Sequence, residues 1–474
     1  MNKKIFDFAQ PFLDKPRSMD VPVIPLTEKT FEKWLKKQDS YAKKALEQAS
    51  FAGKPLQNYI LRDASGTIQA VLTGVHTPCK YYDFAHTAEH IRVGLDKKFL
   101  TECSFSIARE HLSDEDLRRA HIGWGWVCYR FTAYKKDDKG LPQLTFGKGI
   151  DKNRIKALVE SIYMTRNLIN TPANHLGPVE LEDAARFVAK KFKAEINVTV
   201  DKDLLKENLP MIYAVGDGSH RRPRLIDMSW GNKKHPKVTI VGKGVCFDTG
   251  GLDIKPPQFM LLMKKDMAGA AHALGIAWIV MALNLPIRLR ILIPAVENST
   301  SGMAFRPLDI IPSRKGLTVE IGDTDAEGRL IIGDCLTLAC EEKPDLLIDF
   351  ATLTGSARAA LGFDIPALFS NNDKTAEDLK KISMDFEDPL WPLPIWEPYR
   401  KEMDSLVADI NNVGTGKAGA IHGALFLKEF ITPQTEWVHL DMYAWEQYGR
   451  PGRPKGGADT GLRAVFAFIE KRYG

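Results

Sequence analysis

Two short segments of the chain hold most of the residues that could do chemistry. Residues 241–256 read VGKGVCFDTGGLDIKP, residues 322–330 read GDTDAEGRL, and Asp266 stands between them at the start of a stretch of small residues. Each segment has the pattern of a strand that runs into a glycine-rich turn. Such a turn can hold charged side chains at the edge of a sheet without burying them unpaired, which is typical of an active site.

Seven charged residues in this part of the chain have the composition of a two-metal centre. They are Lys243, Asp248, Lys255, Asp266, Asp325, Glu327 and Arg329. Four are carboxylates, which are hard oxygen ligands for divalent ions, and the ions offset the repulsion between clustered acids. Two ions about 3.5 to 4 Å apart can share a water, lower its pKa and stabilise a hydrolytic transition state. The pattern therefore predicts metal-assisted hydrolysis, with Lys255 and Arg329 available for a developing oxyanion.

Simpler interpretations exist for single residues of this set. Thr324 and Glu327 form the S/T-x-x-E pattern of a helix capping box, and Asp266 could simply begin the helix that follows it. Residues 323–334 also fit the first half of a calcium-binding loop, but its twelfth position holds Asp334 instead of a bidentate Glu. Capping alone explains neither Asp323 and Asp325 on the same turn nor Lys243 and Lys255 in the other segment. The metal centre is therefore the favoured interpretation.

The composition is that of an ordinary globular protein with more than one domain. The chain has 474 residues, of which 44% are hydrophobic and 26% are charged. Its longest apolar run is too short to span a bilayer and its N-terminus lacks a secretory pattern, so we expect a cytoplasmic protein with no membrane partner. The six cysteines have no CxxC spacing. We expect them to be reduced and mostly buried rather than paired in disulfides.

The net charge of +5 is concentrated in the first third of the chain. Residues 1–150 contain 24 Lys and Arg against 18 Asp and Glu. A basic domain of this kind raises the alternative function of DNA binding or regulation. The segment has no aromatic-basic stripe and no long Lys/Arg run, which favours a solvated surface instead.

The order of apolar segments predicts an α/β fold with two domains. Residues 1–150 form a small N-terminal α/β domain, with a strand at 70–75, a helix at 31–48 and an aromatic cluster of Trp124, Trp126, Tyr129 and Phe131 that we interpret as the core of a strand. Residues 151–172 are a linker helix and junction, broken by the prolines and glycine of LINTPANHLGP.

Residues 173–474 are predicted to form the larger, catalytic domain. Its strands are expected at 237–241, 287–293, 345–351 and 437–440, and its helices at 268–283, 326–340 and 418–430. Apolar strands that alternate with helices favour a mostly parallel sheet flanked by helices, with ligands at the carboxyl ends of the strands.

At these segments the sequence resembles the leucyl aminopeptidases (cytosol aminopeptidase, peptidase family M17). The likeness rests on VGKGVCFDTGG, GDTDAEGRL, the NTPAN junction, the helix-opening Asp266, ATLTGSA at 351–357 and HLD at 439–441. It extends from about residue 166 to the C-terminus, and the first domain matches only in position and size. The resemblance implies a two-metal aminopeptidase of broad, leucine-type preference that releases N-terminal residues from peptides through a metal-bridging hydroxide.

The resemblance also implies roles for individual residues. The ligands of the tighter ion would be Lys243, Asp248, Asp266 and Glu327, and those of the more exchangeable ion Asp248, Asp325 and Glu327. Zn or Mn is expected, with Co or Mg as further candidates. Lys255 would steady the oxyanion, and Arg329 would hold a bicarbonate-like anion that relays the proton. Lys243 would have to bind as a neutral amine, which nearby metal charge and burial favour.

A homohexamer that acts on peptides is the assembly that the resemblance implies. The implied walls of the substrate pocket are Met263, Thr352, Leu353, Gly355, Tyr443 and Glu446. Tyr443 would narrow the pocket, and Glu446 would disfavour acidic side chains if it faced inward. The alternative is that Glu446 points to solvent or to a neighbouring subunit. Asp323 stands where the family usually has Asn, and Cys246 where a Thr or an aliphatic residue is more usual.

Overall fold

The computed structural model describes residues 3–474, which belong to two compact units. The smaller unit contains Lys4–Tyr163 and Tyr448–Lys455, and the larger unit contains Met164–Gln447 and Gly456–Gly474. The limit between them falls within the helix Lys152–Asn170. It therefore divides residues 151–172, predicted as a linker, between the two units. Within residues 3–474, no helix is long and apolar enough to cross a membrane.

The smaller unit is built on a six-stranded mixed sheet. In spatial order its strands are Phe12–Leu13, Leu144–Thr145, Cys103–Ile107, Met19–Leu26, Ile68–Gly74 and Asn58–Arg62. Its α-helices besides the shared one are Glu28–Lys36, Ser40–Gln48, Tyr81–Gly94, Lys97–Glu102 and Asp114–Val127, and a 3₁₀ helix covers Lys3–Phe6. The predicted strand at 70–75 is confirmed, since the strand next to the edge strand Asn58–Arg62 covers Ile68–Gly74 and is buried from Ala70 onward.

The single helix predicted at 31–48 is wrong, because the segment contains two helices. The first ends after Lys36, and Asp39 then adopts an extended conformation and begins the second. The Asp39 carboxylate accepts a hydrogen bond from the backbone N–H of Ala42 at 2.7 Å. This side-chain cap stabilises a new helix start where the apolar periodicity alone suggested continuity.

Two of the four residues of the aromatic cluster lie on a helix and the other two follow its end, so the assignment of the cluster to a strand is wrong. Trp124 and Trp126 are almost fully buried within Asp114–Val127. This helix begins with a capping box in which Ser113 and Asp116 bind each other's backbone N–H groups. Because the last turns of the helix are buried on all sides, they show no amphipathic period that would distinguish them from a buried strand.

The larger unit is organised around a nine-stranded sheet. Its main path runs Trp391–Pro392, Ala367–Ser370, Trp437–Asp441, Leu346–Ala351, Lys237–Gly242, Arg288–Asn298, Arg224–Trp230 and Glu195–Val200, and Gly244–Asp248 pairs with Arg288–Asn298. The four predicted strands are confirmed, and they are the neighbouring, mutually parallel strands at the centre. Their carboxyl ends consequently meet at one edge of the sheet, as predicted for the site.

Helices cover this sheet, and short strands form two further sheets. The α-helices are Pro178–Phe192, Asp203–Lys206, Pro210–Gly216, Pro257–Met260, Ala268–Ala282, Glu327–Glu341, Gly355–Leu361, Asp373–Asp385, Gly419–Lys428 and Leu462–Tyr473, and the 3₁₀ helices are Ala173–His175, Met263–Met267 and Glu397–Met403. The small sheets consist of Ile310–Pro312, Thr318–Glu320 and Ile410–Asn411, and of Trp445–Glu446 with Gly456–Gly457. The three helices predicted in this unit are confirmed to within two residues at each end.

The helix Ala268–Ala282 packs against the central strands with almost no exposed residue. Its apolar composition on all sides fits this position between the sheet and other helices. Gly269 makes the close approach possible, since a Cβ atom there would lie 2.1 Å from the carbonyl oxygen of Phe350. The approach fixes the segment immediately before the helix, which contains Asp266, next to the strand ends.

A buried carboxylate holds the second site-bearing helix, Glu327–Glu341, in place. Asp334 is fully buried and accepts hydrogen bonds from the backbone N–H groups of Met211 at 2.9 Å, Ile212 at 3.4 Å and Arg314 at 2.8 Å. Burial outweighs these donors and raises its pKa to about 7. Asp334, the twelfth residue of the calcium-loop pattern, thus joins its own helix to the segments that contain Met211 and Arg314. Its role is therefore structural.

We predict that Asp334→Ala lowers the free energy of unfolding by about 3 kcal/mol, since each buried donor left without a partner costs about 1–3 kcal/mol. Urea unfolding followed by circular dichroism measures the change. Glu377→Ala is the matched control, because Glu377 is an exposed acid within the helix Asp373–Asp385 and should change the value by less than about 0.5 kcal/mol. Equal effects of the two substitutions would contradict the role given to Asp334.

Candidate metal centre and substrate cleft

The first charged side chain of the site follows the central strand Lys237–Gly242. Lys243 is 3% exposed, and its ammonium lies 2.7 Å from Asp266 Oδ2 and 2.9 Å from Glu327 Oε1. A Cβ atom on Gly328 would lie 2.6 Å from Lys243 Cε, so only glycine in the first turn of that helix leaves room for the lysine. This contact accounts for a glycine at a helix position where it is otherwise unfavourable.

The second lysine joins the two charged segments. Lys255 Nζ lies 2.8 Å from Asp248 Oδ2 and also forms an ion pair with Asp325. Asp248 is the last residue of the strand Gly244–Asp248, and the backbone N–H of Lys255 donates to the carbonyl of Thr249 at 2.9 Å. The glycine-rich turn thereby folds back on itself and presents Lys255 beside the acids.

The carboxylates converge as the two-metal hypothesis requires. Asp248, Asp325 and Glu327 can each offer one oxygen within 4.8 Å of the others, and Asp266 reaches the same group through Lys243. Glu327 Oε2 is buried without a hydrogen-bond partner among the described residues. An orphaned carboxylate oxygen in a cluster of acids is a position that a cation would satisfy, so the residues present fit divalent ions.

The electrostatics show how unfavourable this cluster is by itself. Burial, together with the charges of Asp248 and other nearby acids, raises the pKa of Glu327 well above its ordinary value. Burial and the charge of Asp248 likewise raise the pKa of Asp325 to about 7. Burial works in the same direction on Asp266, but the positive charges of nearby lysines outweigh it and lower its pKa. Further positive charge beside Glu327 and Asp325 would therefore favour their ionised forms.

The lysines show the reciprocal effect. Burial disfavours the ammonium form of Lys243, but Asp266, Glu327 and Asp248 outweigh burial and raise its pKa. The same balance raises the pKa of Lys255. A metal that takes Lys243 as a ligand must therefore displace a firmly held proton, and burial is not sufficient to make this amine neutral.

The capping-box interpretation is wrong, since Thr324 is used elsewhere. The helix Glu327–Glu341 begins after Ala326, which makes no side-chain cap. Thr324 Oγ1 instead donates to the carbonyl of Gly250 at 2.6 Å and accepts from the backbone N–H of Asp253 at 2.9 Å. Thr324 thus ties the second charged segment to the first.

The interpretation of Asp266 as a simple helix start is also wrong. Asp266 lies in the 3₁₀ helix Met263–Met267, and the residue at the cap position of the following α-helix is Met267. Its carboxylate accepts a hydrogen bond from Thr352 Oγ1 at 2.7 Å on one oxygen and binds Lys243 with the other. Both oxygens point toward the cluster.

Asn298 is a site residue that the sequence analysis missed. It is 1% exposed at the end of the strand Arg288–Asn298, and its amide donates to Asp248 Oδ1 at 2.9 Å and to the carbonyl of Thr324 at 3.1 Å. The predicted strand ended at residue 293. A strand extended along the apolar run would have placed Asn298 at the same sheet edge as Asp248.

Asn412 is a second residue that was missed, and no motif marks it. Its side chain accepts from the backbone N–H of Gly322 at 2.7 Å and donates to the carbonyl of Asp323 at 2.7 Å. Asp323 Oδ1 in turn accepts from the backbone N–H of Asp325 at 2.8 Å. An Asn side chain has an oxygen that could accept the same bond, so the Asp at position 323 preserves this turn.

Arg329 is buried beside the acids but does not pair with them. It is 6% exposed, its Nη1 donates to the carbonyl of Asn412 at 2.6 Å, and its Nε has no partner among the described residues. Burial lowers its pKa to about 10. A buried guanidinium with a vacant donor is suited to an anion.

Of the seven charged residues predicted for the metal centre, all except Glu327 line one cleft of about 440 Å³. The predicted pocket residues that line it are Met263, Thr352, Leu353, Gly355 and Tyr443. The cleft therefore places apolar and small residues next to the charged cluster. An open space beside metal-ligand candidates is what a substrate needs.

Glu446 is the one predicted pocket residue that the structure does not bring to this cleft. It is 8% exposed in the short strand Trp445–Glu446, paired with Gly456–Gly457, and is not among the residues that line the cleft. The residue is buried, which contradicts the alternative that it points to solvent, whereas the alternative that it faces a neighbouring subunit stays a prediction. Its placement at the pocket came only from the resemblance of the segment after His439, and Ala444, which has a positive φ of 54°, lies between Tyr443 and Glu446.

Two cations that line the cleft were also missed. Lys265 is 4% exposed, and burial lowers its pKa to about 8. Arg358 lies on the helix Gly355–Leu361 and adds a second positive charge to the lining of the cleft. The position of Lys265 directly before Asp266 was a signal that this lysine lies near the site. A pair of lysines such as Lys264 and Lys265, however, usually indicates a solvated surface.

Comparisons with known proteins agree with this geometry. The catalytic domain of the cytosol aminopeptidase family matches residues 163–466, and the M17 aminopeptidase N-terminal domain matches residues 21–147. The probable cytosol aminopeptidase of Chlamydia abortus is 43% identical over 323 residues. That alignment covers 67% of this chain and 65% of the relative, so it spans somewhat less than two thirds of the relative's length.

Two solved structures extend the likeness to nearly the whole chain. The crystal structure of cytosol aminopeptidase from Coxiella burnetii has a TM-score of 0.91 and 43% identity, over 98% of this chain and 99% of that one. The bottromycin maturation enzyme BotP in complex with Mn has a TM-score of 0.84 and 28% identity, over 96% of this chain and 99% of that one. With a catalytic-domain match over more than half of its length, the chain belongs to the cytosol aminopeptidase family.

Proposed function

We propose that this chain is a two-metal aminopeptidase of broad, leucine-type preference that removes one residue at a time from the N-terminus of peptides. The observation that carries the proposal is the convergence of buried carboxylates around a lysine at the edge of an open cleft. Family membership supports it independently. The reaction adds one water across the first peptide bond and yields a free amino acid and a shortened peptide.

The chain's own residues divide into ligands and catalysts. The proposed ligands are Lys243, Asp248, Asp266 and Glu327 for the tighter ion, and Asp248, Asp325 and Glu327 for the more exchangeable one. Divalent ions held there would supply Lewis acidity, which lowers the pKa of water, polarises a carbonyl and binds a free amine. The relative BotP was solved with Mn, which supports Mn in this chain, and Zn is the other ion expected from the family. The need for a free terminal amine accounts for removal from the N-terminus.

Lys255 is the proposed oxyanion donor. Its side chain is 12% exposed, whereas that of Lys243 is 4% exposed, so Lys255 is the lysine that a substrate carbonyl can reach. Its ammonium is held by Asp248 and Asp325, and these and other nearby acids outweigh burial and raise its pKa, which favours the protonated, hydrogen-bond-donating form. A fixed donor in a site shielded from water stabilises a developing negative charge without reorganisation.

Arg329 is the proposed holder of a bicarbonate-like anion that relays a proton. Its hydrogen bond to Asn412 fixes the guanidinium while Nε stays without a partner in the described part of the chain. An anion bound there would accept a proton from the attacking water and return it to the leaving amine. Arg suits this task because it stays charged even when buried.

The comparisons give no support to DNA binding by the basic N-terminal domain. We infer a cytoplasmic location from the relatives' designation as cytosol aminopeptidases. A homohexamer is the assembly proposed from the family, and light scattering of the purified protein measures its mass directly.

We predict that removal of divalent ions abolishes peptide hydrolysis, because the carboxylates alone supply no activated water. The chelated protein should regain activity with Mn or Zn, and metal analysis of the repleted protein should give two ions per chain. Mild chelation should remove one ion first, since Lys243 and Asp266 are proposed to serve only one site. Full activity in a metal-free preparation would contradict the two-metal proposal.

We predict that Lys255→Ala and Arg329→Ala keep both ions but lower kcat roughly 100-fold or more, the scale of losing an oxyanion donor or a proton-transfer partner. Asp248→Ala should instead lose metal, since it removes a proposed ligand of both ions. Metal content and kcat are measured on the same preparations. If Lys255→Ala lost as much metal as Asp248→Ala, the division into ligands and catalysts would be wrong.

A further inference from the structure

One wall of the cleft carries two cations that the proposed mechanism does not use. The ammonium of Lys265 lies 4.5 Å from the centroid of the Tyr443 ring, and the guanidinium carbon of Arg358 lies 5.3 Å from the same centroid. The Phe363 ring packs against Tyr443 with a centroid separation of 4.7 Å. The Tyr443 ring is thus close to both cations, and Lys265, Arg358 and Tyr443, which together form this cationic wall, all line the cleft.

The Lys265 ammonium has no acid to balance it. Within residues 3–474 it forms no hydrogen bond or ion pair, although the residue is only 4% exposed. The neighbouring acids are engaged with other groups: Asp266 binds Lys243 and Thr352, and Asp441 accepts from the backbone N–H of Leu353 at 2.9 Å and from Thr354. A cation removed from water without a partner is costly, and the face of one aromatic ring offsets only part of that cost.

The missing partner can come from the cleft itself, since the ammonium lines it. Arg358 adds a guanidinium that stays charged at any ordinary pH and binds carboxylates well. Lys265 directly precedes Asp266, a proposed metal ligand, so the cationic wall lies at the end of the cleft that receives the first residue of a peptide. Met263 and Gly355 line the same space and leave room for a side chain.

We propose that Lys265 and Arg358, held by Tyr443, form a subsite for the side-chain carboxylate of an N-terminal Asp or Glu. The inference rests on the proposed aminopeptidase function and extends its leucine-type preference to acidic residues. It also replaces the earlier expectation that Glu446 would exclude such residues, because Glu446 does not line the cleft while these two cations do. Glu against Gln is the sharpest comparison, since the two side chains differ little in shape and only one is charged.

The test is kcat/KM of the metal-loaded enzyme for the 4-nitroanilides of Glu, Gln and Leu, which lack a peptide C-terminus. We expect Glu to exceed Gln by about tenfold in the unaltered enzyme and the Glu/Gln ratio to fall roughly tenfold or more in Lys265→Met, the scale of losing a charged hydrogen-bond partner. Arg358→Met should lower the same ratio, and it carries the test if Lys265→Met does not fold. A ratio within one enzyme is unaffected by changes in overall activity or metal content.

Lys264→Met is the matched control. Lys264 is the adjacent lysine, but its ammonium donates to the carbonyl of Asn170 at 2.6 Å and does not line the cleft, so the Glu/Gln ratio should not change. A Glu/Gln ratio of one or less in the unaltered enzyme would overturn the proposal. A Glu/Gln ratio that stays the same in both Lys265→Met and Arg358→Met would overturn it as well. The other source of a carboxylate is the C-terminus of a short peptide, which the kcat/KM ratio of Leu-Gly to Leu-Gly-amide measures. If the two variants change only this ratio and not the Glu/Gln ratio, the subsite binds a peptide C-terminus and the side-chain assignment is wrong. No hydrolysis of any anilide would instead reject the proposed function.

Discussion

The repulsion between buried carboxylates is the constraint on which the rest of the larger unit depends. Asp248, Asp325 and Glu327 bring their oxygens within 4.8 Å of one another, and burial together with their mutual charge raises the pKa values of the last two. Such a group is stable only with positive charge among its members. Lys243 and Lys255 provide that charge in the described structure, and divalent ions are the proposed partners in the working enzyme.

The surrounding fold resists this repulsion with hydrogen bonds to the acids and to their turns. Asn298 donates a hydrogen bond to one oxygen of Asp248, and Thr324 joins the two charged segments. Asn412 fixes the turn that precedes the helix Glu327–Glu341. These residues contact neither a catalytic proton nor a substrate in the proposed mechanism. Their effect is to keep the carboxylates converged, which is the preorganisation that catalysis at such a site needs.

Much of this arrangement could be predicted from the sequence because the motifs are local. The strand-turn pattern predicted that Lys243 and Asp248 follow strands, and they lie after Lys237–Gly242 and at the end of Gly244–Asp248. The alternation of apolar strands with helices predicted the mostly parallel sheet. Asn298 and Asn412 could not be predicted in the same way, since their roles depend on segments 26 to 90 residues away that meet only in the fold. Glu446 was assigned to the pocket from the resemblance alone, and the fold instead buries it in the short strand Trp445–Glu446, away from the residues that line the cleft.

The central claim, that this cluster holds two ions side by side, is tested most directly by anomalous diffraction from crystals of the Mn-loaded protein. The account predicts two anomalous peaks per chain about 3.5 to 4 Å apart, with oxygens of Asp248 and Glu327 in contact with both. A single peak, or peaks that lie away from these carboxylates, would contradict it.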